Sequence, residues 1–415
     1  MEIKSNKLYL GGISAEDLAK KYGTPLYVYE KDTIIERYNA IFNSITWKKK
    51  RIFYAMKTNS NPSIMKLLLA QGCGVDTITQ GECEIALKVG FKPSDIIFTG
   101  VNYTKEEMEF CTKKGILMNI GSLVQLEQFG KAHSGSKVAV RINPDVGGGH
   151  HEHTITGGPE SKFGIYFDKV DEIKKIVKKY DLKLVGVQQH IGSGILDIDI
   201  YIYAMDVLIK VAKQFEGLEF VDFGGGVGVN YRPDQKPIDI NKFGKEVGAK
   251  FMIFCKEYGK DLMLRVEPGR YIVCESGFVL TEVVSRQETP NHKFVGVNAG
   301  FNTLIRPTMY GSYHPIINAS NAAGKEKEKV IIAGNVCESG DVFTRDENGL
   351  VDRELPLSKL GDVMAITHAG AYGFTMASEY NSRQLPAELL VSIGKAEVIR
   401  KRGTLKDLLR NTQLE

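Results

Sequence analysis

The 415-residue sequence is short of several things, and each shortage narrows what it can do. It has six cysteines, at positions 73, 83, 111, 255, 274 and 337, and no two stand in a C-x-x-C spacing. That argues against a zinc ribbon and against a disulfide framework, and leaves most of them as small core residues. Charge of one sign is not in excess. A net charge of +4 on a chain of this size gives no reason to expect nucleic acid or a membrane surface as partner. No apolar run approaches the length that crosses a bilayer, and the opening MEIKSNKLYLGGIS has no apolar signal core. Both absences favour the cytoplasm. There is no internal repeat and no low-complexity linker.

The hydrophobic content of 43% and charged content of 25% are those of an ordinary globular protein. The length suggests two domains. From about Arg51 to Val266, short apolar runs alternate with helix-like stretches, the pattern of parallel strands joined by crossover helices. Candidate strands begin near Arg51, Gly74, Asp95, Ile116, Val138, Leu184, Glu219 and Asp261. Amphipathic candidates lie between them, among them Pro62–Ala70, Lys105–Lys114, Asp171–Tyr180 and Ile202–Gln214. Eight strands is the count that closes a (β/α)8 TIM-type barrel. After about Cys274 the texture changes to β-rich segments such as GFVLTEVVSR, EKVIIAGNV and ELLVSIGKAEVI, with few helical patterns, which predicts a mainly antiparallel β domain. The expected division is a barrel over 31–274 and a β domain made of 1–30 plus 275–415, with PLYVYE as its early strand.

In such barrels the active site forms at the C-terminal ends of the strands. Those ends carry Lys57 after the first strand, His190 after the sixth, Gly224-Gly225-Gly226 after the seventh and Glu267 after the eighth. Taken singly, each has a bland reading. FGGGVG is a tight turn, HIGSG holds a structural histidine, and VEPGR is a surface turn with an exposed ion pair. Taken together on one rim they read differently. Three glycines let backbone N–H groups approach a phosphate, and the loops after strands 7 and 8 are the usual phosphate site of this fold. A lysine can hold an aldehyde cofactor as a Schiff base, and pyridoxal phosphate requires such partners. A carboxylate at the pyridinium nitrogen keeps the ring protonated, and a protonated ring stabilises a carbanion.

The segments AMKTNSNP, HIGSG, DFGGGVG, EPGRYIV, RPTMY, CESGD and GAYGFTMASEYNSR resemble those of the alanine-racemase-type barrel enzymes that use pyridoxal phosphate. The resemblance runs from about Tyr22 to Val398 and is strongest to the diaminopimelate decarboxylase branch, to which RPTMY and CESGD are the more specific. It implies Lys57 as the Schiff-base lysine and His190 as the residue stacked on the ring. It implies Ser193 and the glycines through Gly226, Gly225 among them, near the phosphate, Gly269 and Arg270 among the cofactor-binding residues, and Glu267 at the ring nitrogen. Arg270, Arg306 and Tyr310 would bind substrate carboxylates, since arginine forks suit them, and Tyr372 would contact cofactor and substrate. Cys337 and Glu338 match a pair contributed from the neighbouring subunit of a homodimer. Cys337 would be the proton donor to the substrate carbon, and Glu338 the receptor for the distal ammonium. The implied reaction is decarboxylation of meso-2,6-diaminopimelate at its D centre, giving L-lysine, the last step of lysine biosynthesis.

Two features depart from the family pattern. Gly194 stands where family members commonly have Gln. The loop NPDVGGGHHEHTITGGPESKFG is unusually rich in glycine and histidine, and its place after the fifth strand suits a flap over the site. His150, His151 and His153 suit neither a helix face nor a strand face as metal ligands, so no metal is expected. The alternatives are a decarboxylase of another basic amino acid (D-lysine, D-ornithine, L-ornithine or L-arginine), an amino-acid racemase and a non-catalytic cofactor carrier. Arg306 and Arg270 favour a substrate with a distal carboxylate. Glu267 argues against a racemase, which benefits from a poorly protonated ring, and residues 275–415 argue against a carrier.

Overall fold

The computed structural model describes residues 1–149, 151 and 155–414. The chain divides into two units, one formed by Ile35–Asn230 with Lys236–Tyr271, the other by Met1–Ile34, Tyr231–Gln235 and Ile272–Glu415.

The first unit is a closed parallel barrel. Its strands are β1 (Lys50–Ala55), β2 (Gly74–Thr77), β3 (Ile96–Phe98), β4 (Leu117–Ile120), β5 (Lys137–Asn143), β6 (Lys183–Gln188), β7 (Phe220–Asp222) and β8 (Met263–Val266). Each pairs in parallel with the next, β8 returns to β1, and β4 meets β5, so no edge is left open. Every strand begins at or within two residues of the position expected from periodicity.

Helices α1 (Pro62–Ala70), α2 (Gln80–Val89), α3 (Lys105–Lys114), α4 (Leu123–Ala132), α5 (Val170–Lys179), α6 (Ile198–Ala212) and α7 (Ile240–Tyr258) follow the first seven strands in turn. Their starts are written locally. Asn61, Thr79, Thr104, Ser122, Asp197 and Asp239 each accept a hydrogen bond from a first-turn N–H. Helix α6 starts four residues before the expected Ile202, because Asp197 caps it through Asp199 N–H.

Inside the barrel, Phe53, Ile97, Ala139, Val185 and Phe220 form an apolar layer, joined by Leu117 and Met263. Gly74 makes room for this layer: a Cβ there would stand 2.7 Å from the Phe53 ring. Burying an aromatic or branched side chain of this kind is worth about 1.5–3 kcal/mol, so the layer is a firm floor for whatever lies above it.

The second unit is built on a mostly antiparallel sheet. The strand Leu26–Glu30 runs antiparallel to β9 (Gly277–Glu288) and parallel to β13 (Ala387–Ser392). β9 also pairs antiparallel with β10 (Lys293–Val297) and β12 (Val363–Ile366), while β10 pairs in parallel with β11 (Lys327–Ala333). Its core includes Leu8, Leu26, Val28, Phe278, Leu280, Ala365, Leu389 and Val391.

Candidate active site

Side chains two residues apart on a strand share a face. Two residues beyond the apolar layer, the barrel interior turns polar: Thr99 follows Ile97, Asn119 follows Leu117, Arg141 follows Ala139, Asp222 follows Phe220 and Arg265 follows Met263. Strand β6 joins this level through Gln188, which pairs with Asp222 after a register shift between Leu184 and Gly186. These residues make the base of the site. Reading the rim from sequence named none of them as a site residue. The available signal was a single polar residue near the end of each apolar strand.

Lys57 lies in the short 3-10 turn that ends β1, with its side chain 28% exposed. Its Nζ is 3.3 Å from Asp76 Oδ2, on the end of β2, and Asp76 is fully enclosed. The other oxygen of Asp76 accepts from Thr99 Oγ1. Nearby, burial pushes the Glu82 carboxyl up to about 7, and Asp76 adds to the rise. A half-exposed amine oriented by a buried carboxylate is positioned to react with a carbonyl group.

His190 follows β6. Its Nδ1 accepts from Gly225 N–H at 3.1 Å, and its backbone carbonyl accepts from Arg141 and from Thr156 Oγ1. Burial, then the positive charges of Lys57 and Arg141, hold the imidazole well below its ordinary range, so the ring is neutral and flat. Arg270, itself buried, sends Nε and a terminal nitrogen to Ser193 Oγ at 3.1 and 2.9 Å.

The glycine turn after β7 has almost no spare room. A Cβ at Gly224 would lie 2.0 Å from the Gln189 carbonyl oxygen, and one at Gly225 would lie 2.3 Å from that of Glu267. The N–H groups of Gly224 and Gly225 are engaged by Asp222 Oδ1 and His190 Nδ1. Of the three, only Gly226 N–H has no partner among the described residues, so the phosphate cradle is narrower than the sequence suggests. Gly194 has φ +82°, a left-handed conformation that favours glycine over the Gln of the family pattern.

Glu267 is 2% exposed at the end of β8. Its Oε2 accepts from Gln188 Nε2 at 2.8 Å, while Oε1 has no donor among the described residues. Burial, then Asp222 and Asp76, push this carboxyl well above its ordinary range. The residues present fit pyridoxal phosphate: an amine for the aldehyde, a neutral flat ring, an anion site at Ser193, Gly226 and Arg270, and a buried carboxyl oxygen lacking a donor. The bland reading of VEPGR as an exposed ion pair does not hold, since Glu267 and Arg270 are both buried.

The loop after β5 is stitched back to the HIGSG segment on both sides. Gly148 N–H and Thr156 N–H both donate to the Ile191 carbonyl, and Gly148–Gly149 pairs in parallel with Gly192–Ser193. His151 is half-buried; His150 and His153 lie outside the described residues.

The second unit holds the remaining candidates. RPTMY forms the short helix α8 (Arg306–Tyr310) rather than a surface loop, and Arg306 is 1% exposed. Its guanidinium lies 5.5, 5.7 and 6.0 Å from the ring centres of Tyr231, Tyr310 and Tyr372, and donates to Ser312 Oγ at 3.1 Å. Tyr372 sits at φ +55°, strained for a tyrosine and so held by its surroundings. Cys337 and Glu338 are exposed, and Cys337 is the one exposed thiol of the six. Their turn is pinned by buried Asp341, which accepts from Phe301 N–H and Val336 N–H, and by Asn381, which accepts from Cys337 N–H.

Comparison with known proteins agrees with this chemistry. The family model for the pyridoxal-binding domain of pyridoxal-dependent decarboxylases matches residues 31–274. The chain is 43% identical to the diaminopimelate decarboxylase of Methanothermobacter thermautotrophicus, over 97% of this chain and 95% of that protein. It is 36% identical to that of Escherichia coli, over 96% of each. The crystal structure of diaminopimelate decarboxylase from M. jannaschii in co-complex with L-lysine superposes with a TM-score of 0.88 at 35% identity, covering 99% of this chain and 96% of that one.

Proposed function

The chain belongs to the diaminopimelate decarboxylase family of pyridoxal-dependent decarboxylases, and on that premise we propose that it converts meso-2,6-diaminopimelate to L-lysine and carbon dioxide. The observation that carries this is likeness over nearly the whole length to enzymes of that name, both units included. Pyridoxal phosphate is the cofactor. When bound, it supplies an electron sink that stabilises the carbanion left as carbon dioxide departs.

The chain's own residues divide the remaining work. Lys57, oriented by Asp76, is the amine that holds the cofactor aldehyde. Neutral His190 offers its face to the ring, and Ser193, Gly225, Gly226, Gly269 and Arg270 surround the phosphate. Glu267 holds a proton at the ring nitrogen, which suits a decarboxylase better than a racemase. Arg306 and Tyr310 receive the distal carboxylate, and Arg270 and Tyr372 also bind substrate. The three-tyrosine wall around Arg306 supports this role, since a buried guanidinium is a strong receptor for a carboxylate.

The enzyme works as a homodimer in which Cys337 of the partner subunit delivers the proton to the substrate carbon. Glu338 of the partner subunit binds the distal ammonium. What supports this pairing is the exposure of both residues on an ordered turn. The compartment proposed is the cytoplasm: all six cysteines are free thiols, as suits a reducing environment. The test is carbon dioxide release from purified protein with pyridoxal phosphate, offered meso-diaminopimelate, D-lysine, L-lysine and L-ornithine in parallel. Release from meso-diaminopimelate with formation of L-lysine is expected. Release from another substrate and none from meso-diaminopimelate would overturn the assignment.

A further inference from the structure

Asp222 stands one level below the residues that face the cofactor, and the family resemblance gives it no role. It ends β7, is fully buried, and lies in register between Gln188 on β6 and Arg265 on β8. Its Oδ1 accepts from Gly224 N–H at 2.9 Å; its Oδ2 receives no donor from any other group among the described residues. Glu267 lies one pleat beyond Arg265, with Oε2 fixed by Gln188 and Oε1 equally without a donor. The two buried carboxyl groups are close enough to act on each other. Two carboxyl groups that share a site do not both ionise readily, so one proton stays with the pair.

The groups around the pair do not supply that proton. Tyr201, on α6, faces Asp222, but its hydroxyl already bonds to the Phe223 and Gly224 carbonyls. Arg265 acts on Asp222 and packs against Phe220 and Phe53, with its charged carbon 3.6 and 4.6 Å from their ring centres. Arg51 and Glu219 also act on Arg265. Around Glu267 stand Lys57, Arg141 and a third carboxylate, Asp76. Burial pushes Asp222 up to about 7, and burial and Asp222 itself raise Glu267 well above its ordinary range.

We propose that Asp222 is a positioning residue that shares one proton with Glu267 and keeps a negative charge beneath the cofactor's ring nitrogen. It rests on Glu267 being the ring partner named above. When the ring arrives, the shared carboxyl O–H bond breaks and an N–H bond forms at the ring nitrogen. Both carboxylates are then ionised, balanced by the ring cation and Arg265. The second negative charge makes that N–H bond harder to lose.

The test follows the ring-nitrogen NMR signal of 15N-labelled pyridoxal phosphate against pH in wild type, Asp222→Asn and Glu267→Gln. Asp222→Asn is expected to bind the cofactor and to lose the ring proton at a pH lower by about one to three units, the range for removing a nearby opposite charge. If Glu267→Gln shifts the titration and Asp222→Asn does not, the role of Asp222 is overturned and Glu267 keeps its own. If neither variant shifts it, the reading of Glu267 falls and the proposal with it. Should Asp222→Asn fail to fold, infrared spectra of the wild-type protein decide the matter. A protonated-carboxyl band at neutral pH, lost when the cofactor binds, supports the shared proton; no loss of such a band overturns it.

Discussion

Replacing Gly225 by alanine adds one methyl group where the backbone leaves no space. The new Cβ would stand 2.3 Å from the Glu267 carbonyl oxygen and 3.3 Å from His190 Cε1. The first distance is about 1 Å inside ordinary contact, and the obstacle is backbone, which cannot swing aside as a side-chain tip does. Either the end of β7 moves off the end of β8, or the turn tilts and stretches the 3.1 Å bond from Gly225 N–H to His190. Overpacking of this kind costs about 1–3 kcal/mol, and a displacement of about 1 Å at a reacting site can cost about 100-fold in rate. Gly81→Ala is the matched control. It lies in α2, and the nearest atom to its added Cβ is Thr79 Oγ1 at 3.8 Å, so alanine should hold or raise stability there by up to about 1 kcal/mol. The assays are thermal unfolding, cofactor retention by absorbance, and the rate of carbon dioxide release. Gly225→Ala is expected to lower all three while Gly81→Ala lowers none. Wild-type cofactor retention and rate in Gly225→Ala would refute the close-approach reasoning.

Other perturbations probe separate parts of the site. Glu267→Gln should retain the cofactor but lose about 100- to 1,000-fold in kcat, the usual cost of removing one pre-set electrostatic partner. Because Asp222 is raised from 3.8 to about 7 in the folded protein, its proton is held more tightly folded than unfolded. Cofactor-free protein should therefore lose stability as pH rises from about 4 to about 7, and Asp222→Asn should flatten that slope in thermal melts. Arg306→Met should raise KM for meso-diaminopimelate, and an unchanged KM would remove Arg306 from substrate binding. A mixture of Lys57→Ala and Cys337→Ala proteins, exchanged under mild denaturation, should regain partial activity if each site uses both chains. Persistent inactivity of exchanged mixtures would count against the shared-site dimer.

The barrel was legible because each parallel strand is an apolar run closed by turn residues, and six of the seven helices carry their own side-chain cap. The start of α6 was less so, since the alternation in LDIDI resembles a strand until Asp197 is seen to cap the next turn. Lys57, His190 and Glu267 announced themselves by chemistry out of keeping with the strands they end. Asp76, Asn119, Arg141 and Asp222 did not. A single polar residue in an apolar strand has meaning only when its facing is known, and the shift at Gly186 changes that facing within β6. The burial of Arg306 was equally hidden, because it depends on Tyr231 and Tyr372, far away in sequence.

The central claim is that this barrel carries its cofactor on Lys57, and chemical reduction reads it directly. Treating the holoprotein with borohydride fixes the cofactor to its lysine, and peptide mass spectrometry then locates the modified residue. The expected result is a single modified peptide containing FYAMKTNSNPSI, with the mass gain on Lys57 and none in Lys57→Ala. The cofactor fixed to a different lysine, with Lys57 unmodified, would contradict the account.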